Sequence, residues 1–164
     1  MGGGGFKRNV FMAIAIFFLT ITQYNCILYN IGNKMPFVNI NSIPSFKVEK
    51  PFERGLKLIM SPETHASIEG FTFIMSELAP LGGCTDIHAH TSSGELMIFL
   101  SGRGTAWMGD DEFEILPGTS MYAPPGVPHR TLNTGTETLT IACVFVPPVD
   151  TGYIQANIRA AEKA

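Results

Sequence analysis

Four side chains in this sequence have the types and spacing of metal ligands. His88 and His90 stand two residues apart with Ala89 between them, so on an extended chain both imidazoles point to one side. Glu95 follows after Thr91-Ser92-Ser93-Gly94, a stretch that can turn and return the carboxylate on a paired strand beside them. His129, beyond the turn at Pro124-Pro125-Gly126, can close the set. Three neutral imidazoles and one carboxylate suit one divalent transition metal per chain (Fe, Mn, Ni, Cu, Co or Zn), whereas Mg or Ca would take oxygen ligands. Taken alone, a His-x-His pair is more often an ordinary surface loop; the residues around it decide between the two.

The elements that must position these residues are strands. Short apolar runs punctuated by Gly and Pro recur at Leu56–Met60, Gly70–Leu78, Glu95–Leu100, Gly104–Met108, Glu112–Leu116, Ser120–Ala123, His129–Leu132 and Thr138–Val146, the rhythm of an all-β sandwich or barrel. Met108-Gly109-Asp110-Asp111-Glu112 reads as a hairpin turn, and Pro117-Gly118 and Pro124-Pro125-Gly126 are further turns that exclude helix. Leu96, Ile98 and Leu100 alternate with Met97 and Phe99. Both faces of that strand are apolar, as in a strand lying between a barrel interior and a second sheet or a partner subunit; a homodimer is the expectation.

The glycines extend the histidine pattern. Gly82-x5-His88-x-His90-x4-Glu95-x6-Gly102, followed by Gly118-x5-Pro124-x-Gly126-x2-His129-x3-Asn133, fits at every fixed position the two motifs that define the cupin family, which this sequence resembles over residues 57–147. The resemblance implies a single-domain double-stranded β-helix, a jelly-roll barrel with the metal near one open end. It implies His88, His90, Glu95 and His129 as the ligands. Gly102 and Gly118 would end strands at tight turns, and Asn133 would serve strand-end hydrogen bonding.

Four protein ligands on an octahedral ion leave two positions for water, substrate or O2. The resemblance therefore implies a metal-dependent enzyme acting on a small organic carboxylate or carbonyl substrate, either as a dioxygenase or by Lewis-acid lyase or isomerase chemistry. The alternative is a non-catalytic cupin that binds or senses a small ligand at the metal. Glu95 and Tyr122 are the candidate catalytic groups, Tyr122 by analogy with the phenol of cupin lyases acting on dimethylsulfoniopropionate. Met97, Phe99, Phe73, Met75, Trp107 and Phe145 are candidate wall residues, each as readily explained by core packing. Arg103 and Arg130 flank the motifs, but alternation sets Arg130 opposite His129, toward solvent. Cys84 could approach the pocket mouth, Cys143 reads as buried packing, and His65 as a loop residue.

Length and composition bound the rest. The 164 residues suffice for one domain with a core. Eleven basic against 14 acidic side chains, without a basic run, leave no footprint for nucleic acid. Three cysteines are too few for a disulfide framework. Residues 1–34 hold Lys7-Arg8 and an apolar stretch from Val10 to Ile21 without an acid. Three readings stand: an export signal, an uncleaved membrane anchor, or an extension preceding a native start at Met35 in a cytoplasmic protein. Membrane contact is expected only through that segment. Residues 35–56 read as a lead-in strand or loop, 57–149 as the barrel, and 150–164 as a tail with a short helix capped at Asp150-Thr151.

Overall fold

A computed structural model describes residues 36–152 together with Ile154 and Gln155. The segment read as signal, anchor or extension lies outside the described residues, as does the tail beyond Gln155. Among the described residues, no helix is long and apolar enough to cross a membrane.

After a 3-10 turn at Ile40–Ser42, the strands are β1 Phe46–Val48, β2 Arg54–Met60, β3 Thr72–Leu78, β4 Gly94–Ser101, β5 Gly104–Met108, β6 Asp111–Ile115, β7 Ser120–Ala123, β8 His129–Asn133 and β9 Leu139–Val146. Each run expected from the apolar rhythm is a strand, and the lead-in adds β1. They form an antiparallel six-stranded sheet in the order β1-β2-β3-β9-β4-β7 and a three-stranded sheet in the order β6-β5-β8. This is the all-β jelly roll the motifs imply.

Alternation decides which side chains face the interior. Along β4, Glu95, Met97 and Phe99 are buried while Leu96, Ile98 and Leu100 are 38%, 36% and 49% exposed. Phe99 joins Leu58, Leu78, Leu139 and Ile141 of the larger sheet and Ala106 and Ile115 of the smaller in one apolar cluster. Burying a side chain of this size contributes roughly 1.5–3 kcal/mol. The outward row on β4 is partly exposed.

Turn chemistry sets the corners. Gly109 (φ 60°) and Asp110 make the two-residue link between Met108 and Asp111, a geometry that favours glycine. Asn133 is wholly buried at the end of β8. Its amide donates to the carbonyls of Leu78 (3.1 Å), Ala79 (3.0 Å) and Glu137 (2.8 Å), and its Oδ1 accepts from the Gly135 N–H (2.9 Å). Through these bonds the residue staples β8 to the end of β3.

At the C-terminal end, Gly152, Ile154 and Gln155 are helical. Asp150 Oδ1 accepts from the Gly152 N–H, and the Thr151 carbonyl accepts from Ile154 and Gln155. Ile154 enters the core; the rest of the expected helix lies outside the described residues.

Candidate metal centre

Three different pieces of chain deliver the four residues. Glu95 comes from β4 in the larger sheet, paired with Phe145 on β9 and Ala123 on β7. His129 opens β8 in the smaller sheet. His88 and His90 come from the connector after β3, which the spacing had placed on a strand paired with that of Glu95. That part of the expectation is corrected: the connector runs along β8 instead, with bridges Cys84↔Leu132 and His88↔His129. His90 is fixed differently, its carbonyl accepting from the Gly126 N–H at 2.9 Å. The Pro-Pro-Gly turn thus orders both His90 and the entry to His129.

The geometry is convergent. One donor atom from each of His88, His90, Glu95 and His129 lies within 4.8 Å of the others. Glu95 Oε2 is 3.1 Å from His90 Nε2 and 2.9 Å from His129 Nε2. His88 Nδ1 donates to the Asp86 carbonyl at 2.8 Å and His129 Nδ1 to the Val127 carbonyl at 3.0 Å. Backbone carbonyls that hold Nδ1–H leave Nε2 as the nitrogen aimed at the centre. Phe145 packs edge-on against His90 with centroids 4.9 Å apart, which fixes that ring as well.

Electrostatics follow from burial and these bonds. Burial alone would raise the Glu95 carboxyl, but the hydrogen bonds from His129 and His90, with the Cys143 thiol, outweigh it and hold the pKa at about 2. Desolvation lowers His88. It would lower His129 too, yet the bonds to Glu95 and Val127 prevail and raise it; donating from both ring nitrogens is what an imidazolium does. Burial, then the neighbouring carboxylate, pushes the Cys143 thiol well up, which keeps it protonated.

The cluster forms part of the wall of a cavity of about 330 Å³, with Met97 and Phe145 among its apolar lining. The remaining candidates lie elsewhere. Tyr122 is corrected: it pairs with outward-facing Leu96, is 53% exposed, and does not line this cavity. A Cβ at Gly94 would overlap its hydroxyl, so the phenol lies over the outer surface of β4, on the face opposite Glu95. Phe73 and Met75 pair with Val144 and Ala142 on the outer side of the sheet, and Phe99 is core. Trp107 Nε1 donates to Glu112 Oε2 at 2.9 Å, and the Arg130 guanidinium stacks 5.5 Å from the indole. Arg103 lines a separate surface hollow with Gly102 and Gly135. Cys84 is buried, its thiol donating to the Pro51 carbonyl at 3.4 Å, and His65 Nδ1 meets Thr64 Oγ1 at 3.0 Å.

The polar cavity residues Arg54, Ser76, Thr85, Asp86 and Thr131 were not singled out from sequence, and Cys143, read as buried packing, also faces the cavity. The signal was available for Arg54, because it precedes Leu56 and Leu58 at strand period on their inward face.

Comparison with known proteins agrees with the architecture. Residues 75–145 match the family model described as the cupin domain. The chain is 37% identical over 71 residues to an uncharacterized protein of Methanocaldococcus jannaschii, covering 43% of this chain and 57% of that protein. It is 36% identical over 81 residues to a glucose-6-phosphate isomerase of Pyrococcus horikoshii, covering 46% and 41%. The chain therefore spans about half the length of the curated relatives it matches. A solved structure of a predicted oxalate decarboxylase from Thermotoga maritima is similar with a TM-score of 0.62 and 20% identity, over 68% of this chain and 99% of that one; at that identity the likeness is one of fold. With the two histidine–glycine motifs, the jelly-roll strand order and these matches in agreement, residues 75–145 carry a cupin domain.

Proposed function

We propose that the chain is a metal-dependent cupin enzyme acting on a small organic substrate that bears a carboxylate or carbonyl. The observation that carries this reading is the convergence of three imidazoles and one carboxylate within 4.8 Å on the wall of a cavity. The donor set fits one divalent transition ion, since Nδ1 of His88 and His129 is engaged by backbone carbonyls and Glu95 is ionised. A bound ion would supply Lewis-acid polarisation of a carbonyl or carboxylate oxygen, or a place for O2. The protein's own part is to orient substrate against the cluster, to exclude water with Met97 and Phe145, and to keep Glu95 unprotonated within reach of the reacting group. The likeness to a glucose-6-phosphate isomerase supports the isomerase or lyase branch over the dioxygenase one.

The test is incubation of the metal-loaded chain with small hydroxy and keto acids in D2O. Deuterium appearing next to the carbonyl, and absent with His88→Ala, is the expected result. Stoichiometric O2 consumption would move the reading to a dioxygenase. Saturable binding without any product would establish the non-catalytic alternative.

The same reading takes the chain as a homodimer through the outer face of β4, where Leu96, Ile98 and Leu100 are exposed in a row beside Tyr122. A measured mass of twice the chain, reduced to one chain by Ile98→Lys, supports it. A monomeric wild-type chain overturns it.

A further inference from the structure

The cavity that carries the four-residue cluster reaches well past it, and the strand register measures how far. Glu95 lies in one row with Phe145 on β9 and Thr72 on β3. Ser76 lies in a row with Ile141, four residues further along β3, a backbone offset of roughly 13 Å. Glu95 and Ser76 both line the cavity, with the apolar side chains of Ile74, Met97 and Ile141 also on its wall. The space is therefore elongated, with the cluster toward one end and Ser76 toward the other.

Ser76 is unusual among the groups on that wall. It is 4% exposed, its ladder neighbours are Leu56 on β2 and Ile141 on β9, and its buried hydroxyl has no hydrogen-bond partner. Buried hydroxyls are nearly always paired. A methyl would fill almost the same space without an unpaired oxygen, so the hydroxyl is accounted for by something that enters the cavity. The charged groups on the lining are engaged within the fold. Arg54 Nη1 donates to the carbonyls of Phe52 at 3.1 Å and Cys84 at 3.2 Å, Asp86 Oδ1 accepts from the Ile87 N–H at 2.8 Å, and Glu95 Oε2 meets His90 and His129. An ion beside Ser76 would lie among Leu56 and Ile141 with no charge set aside for it, whereas an uncharged oxygen needs only the hydroxyl.

We propose that Ser76 determines specificity at the far end of the substrate, its hydroxyl pairing with an uncharged hydroxyl that an apolar spacer joins to the carboxylate or carbonyl presented to His88, His90, Glu95 and His129. The assignment rests on the reading of that cluster as a substrate centre. A volume of about 330 Å³, at the small end for ligand cavities, suits a slim, unbranched molecule. Ile74, Met97 and Ile141 would pack against the spacer, and Ser76 would discriminate against a molecule of the same length ending in a methyl, because that molecule leaves the serine oxygen unpaired.

The experiment is calorimetric titration of the full chain loaded with Co2+, with bound cobalt counted separately. The probes are ω-hydroxybutyrate, ω-hydroxycaproate and ω-hydroxycaprylate, each beside the acid in which a methyl replaces the hydroxyl and the dicarboxylate in which a second carboxylate does. At one chain length the hydroxy acid should bind about fivefold or more tightly than both of its analogues, and Ser76→Ala should reduce that preference to within about twofold while cobalt remains bound. Ser76→Ala removes a hydroxyl with no partner in the fold, so its melting temperature should be unchanged or higher. A fall of more than about 4 °C would show that the hydroxyl serves the fold, and would overturn the proposal. The wild-type series needs no variant: methyl-ended acids binding as tightly as hydroxy acids at every length overturn the proposal, as does failure of every probe to bind. A dicarboxylate that binds tightest overturns the uncharged assignment. If the chain holds no cobalt, the reading of the cluster fails by itself. The same titration of the metal-free chain still decides Ser76, since a hydroxyl preference lost in Ser76→Ala supports the contact and its absence from wild type overturns it.

Discussion

His88 and His129 exchange both of their backbone hydrogen bonds, at 3.1 and 2.9 Å, and their rings stand 4.4 Å apart between centroids. A residue from the connector after β3 and one from β8 are thereby held at a fixed spacing before any ligand binds. This is preorganisation by β pairing, and it makes the centre a property of the fold rather than of loose loops.

Metal affinity should depend on protons. His129 donates from both ring nitrogens and its pKa is raised, so an ion that takes Nε2 must displace a proton. Affinity for Co2+, measured by competition with a chromophoric chelator, should fall by about tenfold or more from pH 8 to pH 5.5. A pH-independent affinity would show that His129 is not a ligand.

The acid limb of stability in the metal-free chain should belong largely to Glu95. Its folded pKa of about 2 lies below the ordinary 4.5. A depressed carboxyl contributes stability that is full above the unfolded value and is lost as pH falls from there through the folded one. Urea melts of the metal-free wild type should therefore weaken progressively from pH 4.5 toward pH 2, whereas Glu95→Gln should be flatter over that window. Parallel curves for the two proteins would contradict the assignment.

Asn133 should matter for folding and not for the metal. Asn133→Ala removes the donor to the Leu78, Ala79 and Glu137 carbonyls and the acceptor of the Gly135 N–H, and should lower unfolding free energy by about 3 kcal/mol. Bound metal per folded chain should be unchanged. A loss below about 1 kcal/mol would mean that water replaces the amide.

What was legible in the sequence was what depends on local period and turn chemistry. Glu95, Met97 and Phe99 alternate with Leu96, Ile98 and Leu100, and burial follows that alternation; Gly109, Gly118 and Gly126 stand where positive φ is required. The histidine quartet was legible because ligand spacing and glycine spacing coincide. Pairing between distant segments was not. The connector carrying His88 pairs with β8 and not with β4, a choice made by long-range ladder bonds that leave no local trace. Tyr122 was misplaced for a related reason: the partner of β7 fixes which way its alternation points, and that partner is Leu96.

Tyr122 should accordingly be dispensable at the centre. Tyr122→Phe keeps the ring over Gly94 and removes only an outward hydroxyl, so affinity for Co2+ should match wild type within about twofold. A drop of about tenfold would bring the phenol back into the site.

The most direct test of the central claim is elemental analysis of the full chain purified without added metal, beside His90→Ala. About one divalent transition ion per wild-type chain, lost in His90→Ala while the β-sheet circular dichroism is retained, is the predicted result. A metal content that is the same in both proteins, or a wild-type chain that takes up no divalent ion even when one is supplied, would contradict the assignment of His88, His90, Glu95 and His129 as a metal centre.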